Sequence, residues 1–308
     1  MIYPRRVRRL NNHEGEKMSF RIVTDTSSNL DTSYLRENDI SVIPFSYYIN
    51  GKEYSCVDTE GFDGEKFYKA MRLGADITTS QINPQSYVDH FETILKNGED
   101  ILFVAMSSGI SGSFHSATLA RDELKEKYPD REICLLDTLG ASLGEGLFVM
   151  EAIRYREKGF SALTAYKKLL SKVKRMYQVF TVDDLKYLKK TGRLSGSAAV
   201  LGNMLQIKPL LKGNEDGQIV NFSKAIGRKK SIEMMALKYR TLVKDPERQT
   251  VGIAHADCME DVEYLISLLN KKPPKEILTV MYEPVTGSHV GPGTLALFFF
   301  GDDGVRFK

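Results

Sequence analysis

The chain has 308 residues, of which 42% are hydrophobic and 27% charged, a composition typical of a globular protein. Its length is more than one hydrophobic core usually serves, so two domains are expected. The net charge of +3 comes from residues 1–17, which hold five Lys/Arg and two Glu. The rest of the chain is neutral, which argues against a nucleic-acid partner.

The first segment in chain order, residues 1–17, has a charged start but no apolar region, so it does not have the pattern of a signal peptide. We expect a disordered leader or a misannotated start, with Met18 as the true first residue; a basic surface-binding arm is the alternative. Cys56, Cys134 and Cys258 are far apart in sequence and odd in number, so they indicate neither a disulfide framework nor a zinc site. The chain is expected to be cytoplasmic, and it contains no apolar run of the roughly 18 residues that span a bilayer.

Residues 18–170 alternate short β-rich runs with helical patterns, which is typical of a parallel sheet covered by helices. An Asn50-Gly51 pair between two extended runs predicts a hairpin turn. The predicted strands are 20–24, 41–50, 101–106 and 132–137, and the predicted helices are 64–74, 84–98, 115–128 and 143–159.

Residues 171–308 are predicted to form a second, smaller α/β domain, and a helix over 161–176 is expected to lead into it. The predicted strands are 209–211, 218–225, 250–256, 276–282 and 293–301, and the predicted helices are 229–243 and 259–270. The fold class is therefore α/β, with a parallel-sheet domain over 18–170 and a smaller α/β domain over 171–308.

The loop after the strand 101–106 reads MSSGISGSFHSA and holds five serines. A strand end followed by a helix N-terminus presents unpaired N–H groups, which suit an anion. One N-cap, Ser111 or Ser113, needs only one hydroxyl, whereas this loop has a surplus. Gly109-Ile110-Ser111-Gly112 is one residue short of the esterase motif G-x-S-x-G, and no lysine follows as in a phosphate-binding P-loop. The loop predicts an oxyanion cradle without a nucleophile.

Two further segments carry similar chemistry. Thr78, Thr79, Ser80 and Gln81 precede Asn83-Pro84, where Pro84 is a natural first helical residue, so this segment again has more hydroxyls than one cap needs. His289 lies in the Gly/Pro-containing stretch PVTGSHVGPG, which is predicted to be a loop where the backbone can approach a ligand closely. Its ring nitrogen could donate to an anion.

Six short motifs in this order resemble the DegV family, bacterial proteins that bind long-chain fatty acids. They are VTDTSSNL (23–30), TTSQ (78–81), SSGISGS (107–113), DTLGASLGEG (137–146), LKKTGRLSG (188–196) and HVGPG (289–293). The resemblance covers nearly the whole chain from Met18.

The resemblance implies a two-domain α/β protein that buries a fatty acid between its domains and has no cofactor, metal or catalysis of its own. It implies that hydroxyls of Thr79 or Ser80, and of Ser108 or Ser111, hold the carboxylate, with His289 at the same end. It also implies a partner, a fatty acid kinase subunit, to which the carboxylate is presented. The family often has K-x-R after the strand 218–225. In this chain Ile226 stands two positions after Lys224, where the family has the arginine, and the arginine is two positions further on, at Arg228. This departure bears on kinase docking and not on lipid binding.

Two other functions compete with lipid carriage. A serine hydrolase acting on acyl esters would use Ser111 or Ser108 as nucleophile and His289 as base, but its motif spacing is wrong and no acid partner is evident. A phosphoryl-transfer enzyme lacks both the P-loop lysine and a carboxylate cluster for a metal. The sequence leaves open the acyl chain length and unsaturation, the role of Arg193 and the oligomeric state.

Overall fold

The computed structural model describes residues 20–57, 59, 61–195 and 206–308. The leader predicted over 1–17, and most of the small-residue stretch 194–206, lie outside the described residues. The strands are β1 (Phe20–Asp25), β2 (Ile40–Ile43), β3 (Ser46–Ile49), β4 (Lys52–Ser55), β5 (Ile77–Ser80), β6 (Asp100–Ala105), β7 (Ile133–Asp137), β8 (Met176–Thr181), β9 (Leu194–Ser195), β10 (Ile207–Gly213), β11 (Ile219–Ile226), β12 (Thr250–His255), β13 (Glu276–Met281) and β14 (Leu295–Phe300). The α-helices are α1 (Thr32–Glu37), α2 (Gly64–Arg72), α3 (Pro84–Lys96), α4 (Ser113–Lys127), α5 (Leu143–Glu157), α6 (Ala162–Val173), α7 (Lys186–Lys190), α8 (Arg228–Leu242), α9 (Met259–Leu269) and α10 (Pro284–Val290).

The first sheet is fully parallel, with strand order β2-β1-β6-β7. Its central strand β6 is buried throughout, and alternate side chains face opposite sides. Phe103 packs with α3 and α4, whereas Leu102 packs with α5 and α6. The chain moves outward in opposite directions from β1 and β6, so their carboxyl ends border the switch point at which α/β proteins bind ligands.

A small antiparallel sheet, β4-β3-β5, lies beside this switch point. The predicted hairpin is confirmed, because Asn50 and Gly51 have φ angles of 50° and 82° and connect β3 to β4. The sequence prediction treats Thr78–Gln81 only as residues before a helix. In the structure β5 pairs with β3, which places Thr79 opposite Tyr47.

The third sheet has seven strands in the order β13-β12-β14-β8-β10-β11-β9 and is mixed rather than parallel. Helices α8 and α9 pack on one of its faces. Helix α5 covers the other face and also contacts β1 and β6 of the parallel sheet. It is buried on nearly all sides from Leu143 to Ile153, as expected of a helix between two sheets.

In chain order, every strand of the parallel sheet comes at or before β7, and every strand of the seven-stranded sheet comes at or after β8. The predicted domain boundary at 170/171 falls in this interval, within α6, and the division into two domains stays a prediction. Within the described ranges, the chain has no helix whose length and apolarity would allow it to cross a bilayer.

Candidate ligand-binding site

Ser107, the second residue after β6, has a structural role. Its buried hydroxyl donates to the carbonyl of Gly217 (2.9 Å) and accepts the N–H of Gly109 (3.1 Å). Gly109 has no room for a side chain, because a Cβ atom there would lie 2.4 Å from the carbonyl oxygen of Asp216. Ser107 therefore fixes the serine loop against the turn between β10 and β11.

Ser111 lies at the start of α4 and combines two roles. Its Oγ accepts the N–H of Ser113 (3.2 Å) and donates to Ser113 Oγ (3.1 Å). Ser113 Oγ in turn accepts the N–H of Ile82 (3.1 Å). The prediction that Ser111 or Ser113 is the N-cap is wrong, because Gly112 occupies that position and Ser113 is the first residue of the helix. Ser111, one residue before the N-cap, still satisfies the N–H of that first helical residue. The same side chain also lines a cavity at the switch point.

Of the other predicted hydroxyls, Thr79 and Ser80 line the cavity and Ser108 does not. Ser108 is exposed, and its backbone N–H lies 3.3 Å from a carboxylate oxygen of Asp137. Its position gives no support to a role in ligand binding, so Ser111 is the loop serine that the structure places with β5.

His289 lies on α10, and not in a loop as predicted. Glu283 caps this helix, because its carboxylate accepts the N–H groups of Val285 and Thr286 (2.6 Å each). At the other end, Gly291 has a φ of 82°, and a Cβ atom there would lie 2.2 Å from a ring carbon of Tyr187. The glycines and proline that predict a loop therefore delimit a short, tightly packed helix.

Thr79 and His289 contact each other directly. Thr79 Oγ1 lies 2.9 Å from His289 Nε2. The other ring nitrogen, Nδ1, is buried and has no hydrogen-bond partner among the described residues. Burial, together with the charge of Arg193, lowers the pKa of His289 to about 4, so the ring is neutral at pH 7. The ring of His289 lines the cavity with this nitrogen left unpaired among the described residues.

Two residues that the sequence did not assign complete the polar end. Arg193 lines the cavity, donates from Nε to the carbonyl of Ile110 (3.3 Å), and is the only lysine or arginine among the described lining residues. Thr286 lines it too, and its side chain lies beside the carboxylate of Glu283. Both lie in motifs quoted above, LKKTGRLSG and PVTGSHVGPG, but nothing in the sequence indicates which way their side chains point.

The rest of the cavity wall is mostly apolar and comes from all three sheets and their connections. The cavity has a volume of about 160 Å³, counted as the space that the centre of a water molecule can occupy. By the same measure, one water needs only roughly 10–15 Å³. Its main apolar contributors are Phe45, Met106, Ile110, Phe180, Val290 and Phe298. An apolar cavity with polar groups gathered at one end suits an amphiphilic ligand with a single polar head.

The geometry does not resemble a hydrolase site. His289 is hydrogen-bonded to Thr79 and not to Ser111, and the lining residues that the structure describes include no carboxylate. A nucleophile, a base and an orienting acid in hydrogen-bond contact are therefore not assembled here. Within the described ranges, no three His, Cys, Asp or Glu residues come together in a group suited to a metal ion.

Comparison with known proteins agrees with this geometry. Residues 19–302 match the model of a family described as "Uncharacterised protein, DegV family". A DegV domain-containing protein of Clostridium perfringens is 41% identical over 285 residues, 92% of this chain and 98% of that protein. The solved structure "Fatty Acid Binding of a DegV family Protein from Thermus thermophilus" is 28% identical with a TM-score of 0.83, covering 92% of this chain and all of that one. A fatty acid binding DegV family protein from Streptococcus agalactiae is 27% identical with a TM-score of 0.82, over 92% and 99% of the two chains. The chain belongs to the DegV family.

Proposed function

We propose that this protein is a cytoplasmic fatty acid carrier that holds one long-chain fatty acid between two domains, 18–170 and 171–308. The observation that carries the proposal is the cavity, whose mostly apolar wall also holds one arginine, one histidine and several hydroxyl groups. Thr79, from residues 18–170, and His289, from residues 171–308, both line this cavity. DegV structures described as fatty acid binding support the same ligand class.

The carboxylate would lie at the polar end. A buried carboxylate needs several hydrogen bonds and a compensating charge. Ser80 supplies a hydroxyl donor, and Ser111 supplies one when its proton turns from Ser113 to the ligand. Thr79 and His289 are bonded to each other, so this pair supplies one donor, either the Thr79 hydroxyl or the His289 Nδ1–H, depending on the ring tautomer. Arg193 supplies the positive charge. Because His289 is neutral, the site carries a single cation for a single anion.

The acyl chain would lie along the apolar wall and supply most of the affinity. Each buried CH₂ group contributes about 0.8 kcal/mol, so a chain of roughly sixteen carbons could gain on the order of 12 kcal/mol before the entropic cost of binding. The polar end then orients the ligand and avoids an unpaired buried charge, rather than providing the bulk of the binding energy.

Lipid analysis of the purified protein tests the proposal. We expect native mass spectrometry of protein from a bacterial host to show a bound mass that leaves on denaturation, and extraction to identify it as a long-chain fatty acid. The proposal fails if folded, delipidated protein neither carries nor takes up a fatty acid such as palmitate in a direct binding assay.

We also propose that the carboxylate is presented to a fatty acid kinase subunit, as the family resemblance implies. Arg228 does not replace the family's arginine, because it pairs with Asp261 (2.9 Å) and donates to the carbonyl of Gly293 (2.6 Å). Ile226 occupies the family position and is 76% exposed. If an arginine there helps docking, Ile226→Arg will raise the rate at which a bacterial fatty acid kinase phosphorylates the bound acid; an unchanged rate would show that docking does not use this position.

We propose no catalytic activity for the chain itself. Labelling with a fluorophosphonate tests the hydrolase alternative, since an activated serine would form a covalent adduct. An adduct at Ser111 or Ser108 would support a hydrolase, and intact mass unchanged after exposure would support a carrier.

A further inference from the structure

A second cavity lies at the other end of β14 and is lined by basic side chains. It shares no lining residue with the fatty acid cavity. Phe298 lines the first cavity and Phe300 the second, and these side chains lie on the same face of the sheet because they are two residues apart. The second cavity offers about 180 Å³ to the centre of a water molecule, enough for a small organic molecule and not only for a single water.

Three separate segments bring five cations to this cavity. The cations come from α5, from the end of α6 and its connection to β8, and from the connection between α8 and β12. They are Arg154, Lys172, Arg175, Lys244 and Arg248. Only two acids, Glu151 and Asp245, are among the described lining residues. The lining therefore has an excess of positive charge in a chain whose body is otherwise neutral.

Four of the five cations lie near carboxylates, which distinguishes Arg175. Lys244 lies 3.5 Å from Asp302, and Arg248 lies 3.7 Å from Glu247. Glu151 contacts both Arg154 and Lys172, and its side chain is 13% exposed. Arg175 donates from Nε to the carbonyl of Gly301 (3.1 Å) and pairs with no carboxylate in the described part of the chain. Its two terminal nitrogens are left to face an anion, and a guanidinium binds an oxyanion through two parallel hydrogen bonds.

The position of Arg175 is fixed before any ligand arrives. The N–H of Gly301 donates back to the carbonyl of Arg175 (2.8 Å). Gln249 donates to the carbonyl of Phe300 (3.0 Å) and accepts its N–H (2.8 Å), and the N–H of Lys244 donates to the same carbonyl (3.0 Å). The segment that carries Lys244 is thus bound to the end of β14, so the basic groups are preorganised and binding costs little reorganisation.

An apolar floor adjoins these charges. Leu147 and Met150 are on the α5 face that also carries Glu151 and Arg154, and Phe300 closes the side. Leu147 and Met150 are each only 3% exposed, so the partly buried Phe300 is the floor residue with more apolar surface still open. A bare inorganic anion would leave the ring of Phe300 uncovered. We propose that the second cavity binds a phosphate monoester, with the phosphate on Arg175 and Lys244 and a small apolar or aromatic group over Leu147, Met150 and Phe300.

Titration calorimetry with phenyl phosphate and inorganic phosphate tests this site. We expect saturable binding of phenyl phosphate, about tenfold weaker binding of inorganic phosphate because the ring no longer covers apolar surface, and no binding of phenol. Arg175→Met is expected to weaken phenyl phosphate binding by about ten- to hundredfold, since it removes charge-assisted hydrogen bonds. Lys230→Met, which removes an exposed cation elsewhere, is the matched control and should bind as wild type does.

Three outcomes would overturn the proposal. They are no saturable binding of phenyl phosphate, unchanged binding by Arg175→Met, and loss of binding when palmitate fills the first cavity. If Arg175→Met does not fold, Lys244→Met provides the same comparison, because that side chain is 48% exposed and its loss leaves the core intact. Palmitate binding by both variants should equal that of wild type, which separates failure of this site from failure of fatty acid binding.

Discussion

Ser111 uses one hydroxyl group for two purposes, since it caps the first turn of α4 and faces the cavity. Replacing it with alanine removes both contributions, and the two can be measured separately. We expect Ser111→Ala to weaken fatty acid binding by about ten- to hundredfold, because a hydrogen bond to a charged group contributes about 1.5–3 kcal/mol. The loss of the cap should lower the free energy of unfolding by about 1 kcal/mol.

The control for this experiment is Ser108→Ala, which removes an exposed hydroxyl from the same loop. It should leave both affinity and stability unchanged. A methyl ester of the fatty acid lacks the negative charge, so Ser111→Ala should weaken its binding much less. If Ser111→Ala binds acid and ester as wild type does but unfolds more readily, Ser111 is a cap alone.

Two buried acids near the cavity, Asp25 and Glu145, meet at the hydroxyl of Ser27. Ser27 Oγ contacts Asp25 Oδ1 and lies 2.6 Å from Glu145 Oε2. A hydroxyl has one proton to donate, so with both acids ionised one of these contacts would bring two lone pairs together. One of the acids must therefore hold a proton. Burial raises the pKa of Asp25 to about 6, and burial with the charge of Asp25 raises the pKa of Glu145 well above its ordinary value.

The raised pKa of Asp25 predicts a pH dependence of stability. Between pH values of about 4 and 6 the folded chain binds more protons than the unfolded chain, so this acid's contribution to the free energy of unfolding falls as pH rises. Asp25→Asn removes the acid and keeps an oxygen for the N–H of Ser27. We expect the variant to lose less stability than wild type over this window, as measured by denaturant unfolding.

The free energy of unfolding of Asp25→Asn is compared with that of wild type at each pH. This is necessary because His289, which is present in both proteins, contributes a pH dependence of opposite sign. Its lowered pKa means that the unfolded chain takes up the proton first, so that contribution to stability is lost as pH falls through about 4. Asp130→Asn, at an exposed acid, should show the wild-type slope. The same slope in Asp25→Asn would contradict a raised pKa for Asp25 and would leave Glu145 as the acid that holds the proton.

Helix α10 is the element that positions His289, and it depends on a glycine at its end. Gly291 combines a φ of 82° with contact to the ring of Tyr187, so alanine there is strained by its backbone and by its Cβ atom. We expect Gly291→Ala to lower the free energy of unfolding by about 2–4 kcal/mol and to weaken fatty acid binding as the helix moves. Thermal unfolding and a binding titration measure the two effects.

Gly159→Ala isolates the backbone part of this effect. Gly159 has a φ of 79°, but a Cβ atom there would meet nothing within 4 Å. Its replacement should therefore cost about 1–2 kcal/mol and leave fatty acid binding intact. Equal losses in the two variants would mean that contact with Tyr187 does not hold the end of α10.

Among the elements that the sequence prediction misses, which include β8 and α7, two carry site residues: β5 and α10. These two share a physical reason. Long apolar or amphipathic runs such as β6 and α3 are visible in the sequence because their own periodicity determines what they become. Strand β5 is four residues long and rich in hydroxyls, and it is a strand because β3 offers a partner. Helix α10 is only seven residues long and contains Gly287, which disfavours a helix but allows the hydroxyl of Tyr68 to approach closely. Tertiary contacts determine both elements.

At the scale of the whole molecule, the site depends on contacts between residues that are far apart in sequence. Thr79 and His289 are separated by 210 positions and lie on strand β5 and helix α10. The motifs that resemble the DegV family identify both residues, but pairing between them follows only from how the sheets pack. The same holds for Arg193 and Thr286, whose orientation toward the cavity depends on that packing. Sequence alone therefore predicts the kind of chemistry and most of the elements, and the structure supplies which side chains meet.

The proposed ligand would contact residues from different sheets and from the connections of all three. Its binding should therefore stabilise the whole fold. A ligand that binds only the folded chain raises the free energy of unfolding by RT ln(1 + [L]/Kd), about 2.7 kcal/mol at one hundred times Kd. For a protein of this size, that increase corresponds to a rise in Tm of several degrees. We therefore expect delipidated protein to unfold at a lower temperature than protein reloaded with palmitate, in one cooperative transition.

The chemistry of the head group distinguishes specific binding from a general effect of an apolar additive. Hexadecanol has the same chain without a carboxylate, so it should raise Tm less than palmitate does in wild type, because Arg193 then faces no anion. Arg193→Met should reduce the difference between the two ligands, since the variant offers the carboxylate no charge. Equal rises in Tm for acid and alcohol in wild type would contradict a carboxylate site, and a rise confined to one of two separate transitions would contradict a ligand held between the sheets.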